Sequence, residues 1–271
     1  MRWLGVLVLL TLVACGRAPA EDAATTTPVT SAPPTTRAPV PPRPDPKPGE
    51  CHALTYAAAT KSVDPKRPVP CRGKHTSVTY AVGQLDVLHD GHLLAVDSLQ
   101  AHRSLDSACE RGLGRWLGGD NDALRLSRFR SVWFRTDLDQ AERGANWYRC
   151  DVVAVAGDNR LAQVPGDLRG VLNDPRALDT FGICGTSSPA AKGHRRVICS
   201  ERHSWRAVSV VDLPRGAKYL GKAPGAEADT RCQDVATART NPSLKYEWAF
   251  QWPTREQWRS GQRYGWCWLP A

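Results

Sequence analysis

Eight cysteines between residues 51 and 267 constrain this chain more than any other feature. They stand at Cys51, Cys71, Cys109 and Cys150, then at Cys184, Cys199, Cys232 and Cys267. Successive spacings are 20, 38 and 41 in the first quartet and 15, 33 and 35 in the second, so one order of lengths recurs in shortened form. Local sequence keeps step with it. Val69-Pro-Cys71-Arg-Gly-Lys-His75 aligns with Val197-Ile-Cys199-Ser-Glu-Arg-His203, a Cys-x3-His in both, and an extended β-rich run follows each, at 78–82 and 207–211. Gly144 and Gly261 each precede the last cysteine of their quartet by six residues. Four cysteines, one histidine and one glycine in register predict a tandem duplication: repeat 1 over 51–157, a connector over 158–183 and repeat 2 over 184–271.

Within each repeat, a short strand starts at the first cysteine and a second runs on from Cys-x3-His. The third cysteine falls on a helix. In repeat 1, Asp97 or Ser98 caps a helix whose apolar face holds Leu99, Leu105, Cys109, Leu113 and Trp116. In repeat 2, Ala228, Cys232 and Val235 keep helical spacing. Tryptophan-rich chain follows, and a last strand carries the fourth cysteine. The expected fold class is α+β: two tandem small disulfide-stapled domains, each a short antiparallel sheet packed on one or two helices.

Four cysteines per repeat allow three pairings. We favour Cys51–Cys71, Cys109–Cys150, Cys184–Cys199 and Cys232–Cys267, because the first two of each set flank a hairpin and the helix packs on the last strand. Other thiol chemistry fits poorly. A thiol peptidase would leave three odd cysteines per repeat, and residues four apart on an extended strand lie about 13 Å apart. Cys-x3-His alone is half a zinc site, and Cys-x-x-Cys is absent. No metal and no cofactor is expected. His75 and His203 read as structural histidines hydrogen-bonded to a nearby loop, with a shared ligand or partner contact as the alternative. The tryptophans at 133, 147, 248, 252, 258, 266 and 268 read mainly as core, with sugar stacking open wherever one is exposed.

The ninth cysteine has a different setting. Met1-Arg2 precedes an apolar run from Trp3 to Ala14, too short to span a bilayer, and the run ends Leu12-Val13-Ala14-Cys15-Gly16. That ending looks like a bacterial lipobox, so residues 1–14 are expected to be a signal peptide and Cys15 a diacylated N-terminus. Two acyl chains are what stable membrane anchoring requires. Residues 15–50 then read as a disordered Pro/Thr-rich spacer: positions 16–50 hold ten of the 21 prolines and six threonines. The expected location is the extracytoplasmic face of the membrane. There, nucleic acid falls away as a partner for the net charge of +9. Residues 184–271 carry 14 Lys+Arg against seven Asp+Glu, so an acidic envelope polymer or protein partner is expected at repeat 2.

Together these residues resemble the septum-formation domain of actinobacterial envelope proteins. Repeat 2 is similar to it at Cys184, Val197, Cys199, His203, Cys232, Pro253, Trp258, Gly261 and Cys267. Repeat 1 is similar at Cys51, Val69, Cys71, His75, Cys109, Gly144 and Cys150, but has Thr136 for the proline and Ala141 for the tryptophan. The resemblance implies a link to cell division or envelope assembly and supplies no catalytic residues. The expected function is a lipid-anchored, non-catalytic binding or scaffold protein. Its rivals are an envelope enzyme acting on wall glycan or peptide, and a ligand-binding module using the cleft between repeats.

Overall fold

Disulfides, two antiparallel sheets and one long helix against each sheet organise the chain. The computed structural model describes residues 43–214, 216, 218–219, 226–239 and 247–271. The expected signal peptide, Cys15 and the spacer up to residue 42 lie outside the described residues.

The first sheet is built from β1 (Cys51–His52), β2 (Ser77–Gln84), β5 (Phe129–Arg135), β6 (Trp147–Gly157) and β7 (Arg160–Leu161). Between them come α1 (Tyr56–Ala59), the small hairpin β3 (Leu88–His89) and β4 (His92–Leu93), α2 (Leu99–His102), α3 (Leu105–Leu117), α4 (Asn121–Leu126) and α5 (Leu138–Ala141). Its order is β1-β2-β6-β5, with β7 returning along the end of β6. Cys109 on α3 bonds Cys150 on β6, and Cys51 on β1 bonds Cys71. The register of β2 against β6 slips between Thr79 and Ala81, so Tyr80 is an extra residue at a bulge. Its hydroxyl reaches the Cys109 carbonyl at 2.5 Å and Ser131 Oγ at 2.7 Å, tying strand to helix.

The second sheet has β8 (Ile183–Gly185), β9 (Arg196–Ile198), β10 (Trp205–Asp212), β11 (Ala249–Gln251) and β12 (Tyr264–Pro270), with α6 (Ala177–Phe181) before it. Helices α7 (Ala226–Arg239) and α8 (Arg255–Arg259) complete it. Its order is β9-β8-β10-β12-β11. Omitting β9, the path runs first, second, fourth, third strand, as in the first sheet. Cys232 on α7 bonds Cys267 on β12, and Cys184 bonds Cys199. Here the register slips between Ala207 and Ser209. Val208 lies nine residues past Cys199, as Tyr80 lies nine past Cys71. The expected pairing of all eight cysteines is the one observed.

The turn before each last strand shows why glycine recurs. Asp137 caps α5 through Gln140 N (2.8 Å), and Thr254 caps α8 through Gln257 N (3.2 Å) in a full capping box. Seven residues past each cap the chain turns through φ +93° at Gly144 and +99° at Gly261, which a side chain would strain.

Four expectations change. The single helix from residue 98 is two: Ser98 caps α2, the chain breaks at Arg103–Ser104, and α3 starts at Leu105. Leu99 consequently points to solvent, 88% exposed, while Leu105, Cys109, Leu113 and Leu117 form the buried stripe. On α7 the stripe is Ala228, Cys232 and Ala236, with Val235 only half-buried. The spacer stops short of residue 50: Gly49 N donates to Thr79 O (2.7 Å), and Thr79 N donates to Glu50 O (2.8 Å). Residues 158–183 are core rather than tether, since Val164, Leu168, Leu172 and Phe181 are buried with Leu113, Phe129 and Val152. Each such side chain contributes about 1.5–3 kcal/mol by leaving water.

That shared core joins the sheets. Ile198 of β9 belongs to the same buried cluster as β6 and α3. A bridge pairs Ser127 with Gly182, and Trp266 Nε1 donates to the Arg125 carbonyl on α4 (3.0 Å). The two sheets belong to one compact unit.

Candidate functional site

His75 and His203 occupy matched positions and do the same thing. In each, Nδ1 faces the carbonyl oxygen two residues earlier: Gly73 O at 2.8 Å and Glu201 O at 2.7 Å. A carbonyl only accepts, so Nδ1 carries the proton in both and the ring pins the turn after the cysteine. His75 is buried and His203 half-buried.

A second cluster lies on the face of the first sheet opposite α3, and no single stretch of sequence announces it. His52 Nε2 donates to Thr79 Oγ1 (3.2 Å), whose hydroxyl donates to Asp151 Oδ1 (2.7 Å). Arg149 Nε lies 3.2 Å from both Asp151 oxygens, and its Nη2 donates to Asp64 Oδ2 (2.8 Å). The order imidazole, hydroxyl, carboxylate resembles an acid–base relay. However, none of the five residues is more than 5% exposed, so substrate has no approach to it. Burial, then the Arg149 charge, pulls the His52 imidazole down to about 4, although Asp64 pulls the other way. Burial pushes Asp151 up, while Arg149 and the Thr79 hydroxyl draw it back. The cluster is a buried ion network that holds β1, β2 and β6 to the 53–70 loop.

An open cavity of about 600 Å³ lies where the sheets meet, lined by Tyr56, Arg128, Val155, Gly157, Asp158, Asn159, His194, Arg195, Arg196 and Gln251. The volume is within the usual range for small-molecule sites. Backbone pairing fixes its walls. Arg128 stands just before β5, with its N–H on the Phe181 carbonyl (2.7 Å) and its Nε on the Val155 carbonyl (2.7 Å). Arg195 N donates to Thr186 Oγ1 (3.2 Å), and Arg196 opens β9 opposite Gly185. The Arg196 guanidinium sits 5.3 Å over the Trp266 ring.

Charge in this cavity is unbalanced. Its one lining carboxylate, Asp158, is 4.0 Å from Arg195. Burial and repulsion from Arg130 and Arg196 bring the Arg128 guanidinium down to about 10, and burial with repulsion from Arg130 also lowers Arg196. His194 Nδ1 faces Ser187 O at 2.8 Å and so carries the proton. Burial holds its pKa below the usual imidazole value, leaving Nε2 an acceptor. His194 Nε2 and Gln251 Oε1 are buried without a hydrogen-bond partner among the described residues.

Sequence reasoning singled out the histidines and cysteines; it offered a ligand-binding cleft between the repeats as a rival reading but named none of this cavity's residues. Its residues come from five separate stretches, and the adjacent pair Arg195-Arg196 was the one local signal. Among the described residues, no group of three or more His, Cys, Asp or Glu could hold a metal, and no helix is long and apolar enough to cross a membrane.

The fold defines a disulfide-stapled α+β protein with two sheets on a shared core and a basic cavity between them. The chain belongs to the Septum formation family, whose pattern matches residues 123–267, more than half of its length. That span starts on α4, runs through β5 and β6 and takes in the second sheet up to Cys267, partway along β12. It is shorter than the resemblance, which leaves only residues 1–50 outside. Neither curated proteins nor solved structures gave a match.

Proposed function

We propose that this is a lipid-anchored, extracytoplasmic, non-catalytic binding or scaffold protein of the bacterial envelope, linked to septum formation or envelope assembly. The observation that carries the reading is the pairing of all eight cysteines in the described chain, an arrangement that persists in oxidising compartments. The family supports the link to division. The lipobox-like ending at Cys15 supports the anchor. Tandem duplication is part of the same proposal, and the shared strand order and matched bulges support it.

Labelled palmitate fed to cells tests the anchor: wild type should take up label and Cys15→Ala should not. An unlabelled wild-type protein would overturn it. For the binding role, full-length protein in detergent should be retained on an immobilised anionic glycan and released by salt. Salt-insensitive retention, or none, would count against an acidic polymer as partner. Normal septa after depletion of the protein would remove the division link.

A further inference from the structure

We propose that the cavity between the two sheets binds a small oxyanionic ligand, one that carries a phosphate or carboxylate group. The proposal rests on the envelope reading only for the source of such a ligand. The cavity itself specifies the chemistry.

Three guanidinium groups, Arg128, Arg195 and Arg196, line one space against one carboxylate, Asp158. Guanidinium presents a rigid planar fork of donors that matches the oxygen pairs of phosphate and carboxylate. Arg128 is only 8% exposed and its Nε is already committed to Val155 O, so its charge is held in place and partly stripped of water. A cation in that setting gains from an oxyanion far more than a solvated surface lysine would. The other acid in the neighbourhood, Glu201, is occupied by Arg160 at 2.8 Å.

Size sets the other limit. About 600 Å³ is ample for an oxyanion carried on a single sugar-sized ring.

The test uses full-length protein in detergent, with binding followed by calorimetry and by the shift in unfolding midpoint. The probes are glucose 1-phosphate, glucuronate and glucose. Glucose 1-phosphate or glucuronate should bind at least tenfold more tightly than glucose, which carries no oxyanion. Which of the two binds distinguishes a phosphorylated source from a uronic one. Arg196→Gln should weaken binding at least tenfold, whereas Arg259→Gln on exposed α8 should leave it unchanged. If Arg196→Gln fails to fold, the exposed Arg195→Gln takes its place. No binding of either anionic sugar, equal binding of glucose, or affinity untouched in the arginine variants would overturn the proposal. Anionic-glycan retention that survives Arg196→Gln would spare the envelope reading while removing the cavity from it. Sugar binding without glycan retention would do the reverse.

Discussion

Counted from their cysteines, the two sheets place opposite chemistry at matched positions. In the first sheet these hold His52, Thr79, Arg149 and Asp151, and in the second Gly185, Ala207, Trp266 and Trp268. Thr79 pairs with Asp151 and Ala207 with Trp268, so even the strand register agrees. One sheet buries an ion network and the other buries tryptophan. The loops explain how both succeed. Twenty residues separate Cys51 from Cys71, enough to carry α1 and deliver Asp64 to Arg149. Fifteen separate Cys184 from Cys199, and that loop delivers the His194 ring edge-on to Trp268 at 5.2 Å. A buried charge needs partners from elsewhere in the chain, whereas an indole needs mainly shape.

Removing one member of the ion network should have the largest effect. Arg149→Ala leaves Asp64 and Asp151 buried and uncompensated, and should cost about 3–5 kcal/mol by urea unfolding. Replacing Arg149, Asp64 and Asp151 together by apolar residues of similar volume should recover most of that loss, moving the first sheet toward the second one's solution. Failure to recover would break the comparison, because the charges would then specify the fold.

The staples come next. Chain-entropy reasoning gives about 4 kcal/mol for the 41-residue loop closed by Cys109–Cys150 and about 3 kcal/mol for the 15-residue loop of Cys184–Cys199. The paired Cys→Ala variants should rank in that order of unfolding midpoint.

Acid should separate the sheets as well. His52 takes up its proton near 6.5 in the unfolded chain but only near 4 when folded. The contribution of its neutral ring is complete above pH 6.5 and is lost as pH falls toward 4, about 3 kcal/mol over that window. The raised Asp151 pKa acts in the opposite sense, so the decisive quantity is the difference between wild type and His52→Gln. Unfolding free energies at pH 7 and 4.5 should converge for the two proteins; parallel profiles would remove His52 as the cause.

The smallest effect tests the tryptophan side. A Cβ on Gly185 would stand 2.6 Å from His194 Cε1 and 3.1 Å from the Trp268 ring. Gly185→Ala should therefore cost about 1–3 kcal/mol by thermal unfolding. Ala at Gly193, where a Cβ meets nothing within 4 Å but φ is +83°, should cost less than that.

Much of the framework was legible because its signals are local or repeated. Cysteine spacing carried the pairing, and helical periodicity found α3 through Cys109 and Leu113. The break at Arg103–Ser104 was not legible, since Leu99 continues the apolar pattern while facing solvent. The ion network depends on Asp64 meeting Arg149 across 85 positions, and no periodicity encodes that. The residues that line the cavity were hidden for the same reason. Arg128 and Arg196 read as two charges among 36 Lys+Arg until β5 and β9 bring them to one space.

The bond between Cys109 and Cys150 also bears on how this family is inherited. The recognisable span begins at residue 123, after Cys109 and before Cys150. A fragment cut to that span would keep β5 and β6 but lose β1, β2 and α3, and would carry Cys150 as an unpaired thiol on a bared strand. The recognisable span is thus smaller than the unit that staples β6, whose disulfide partner lies outside it.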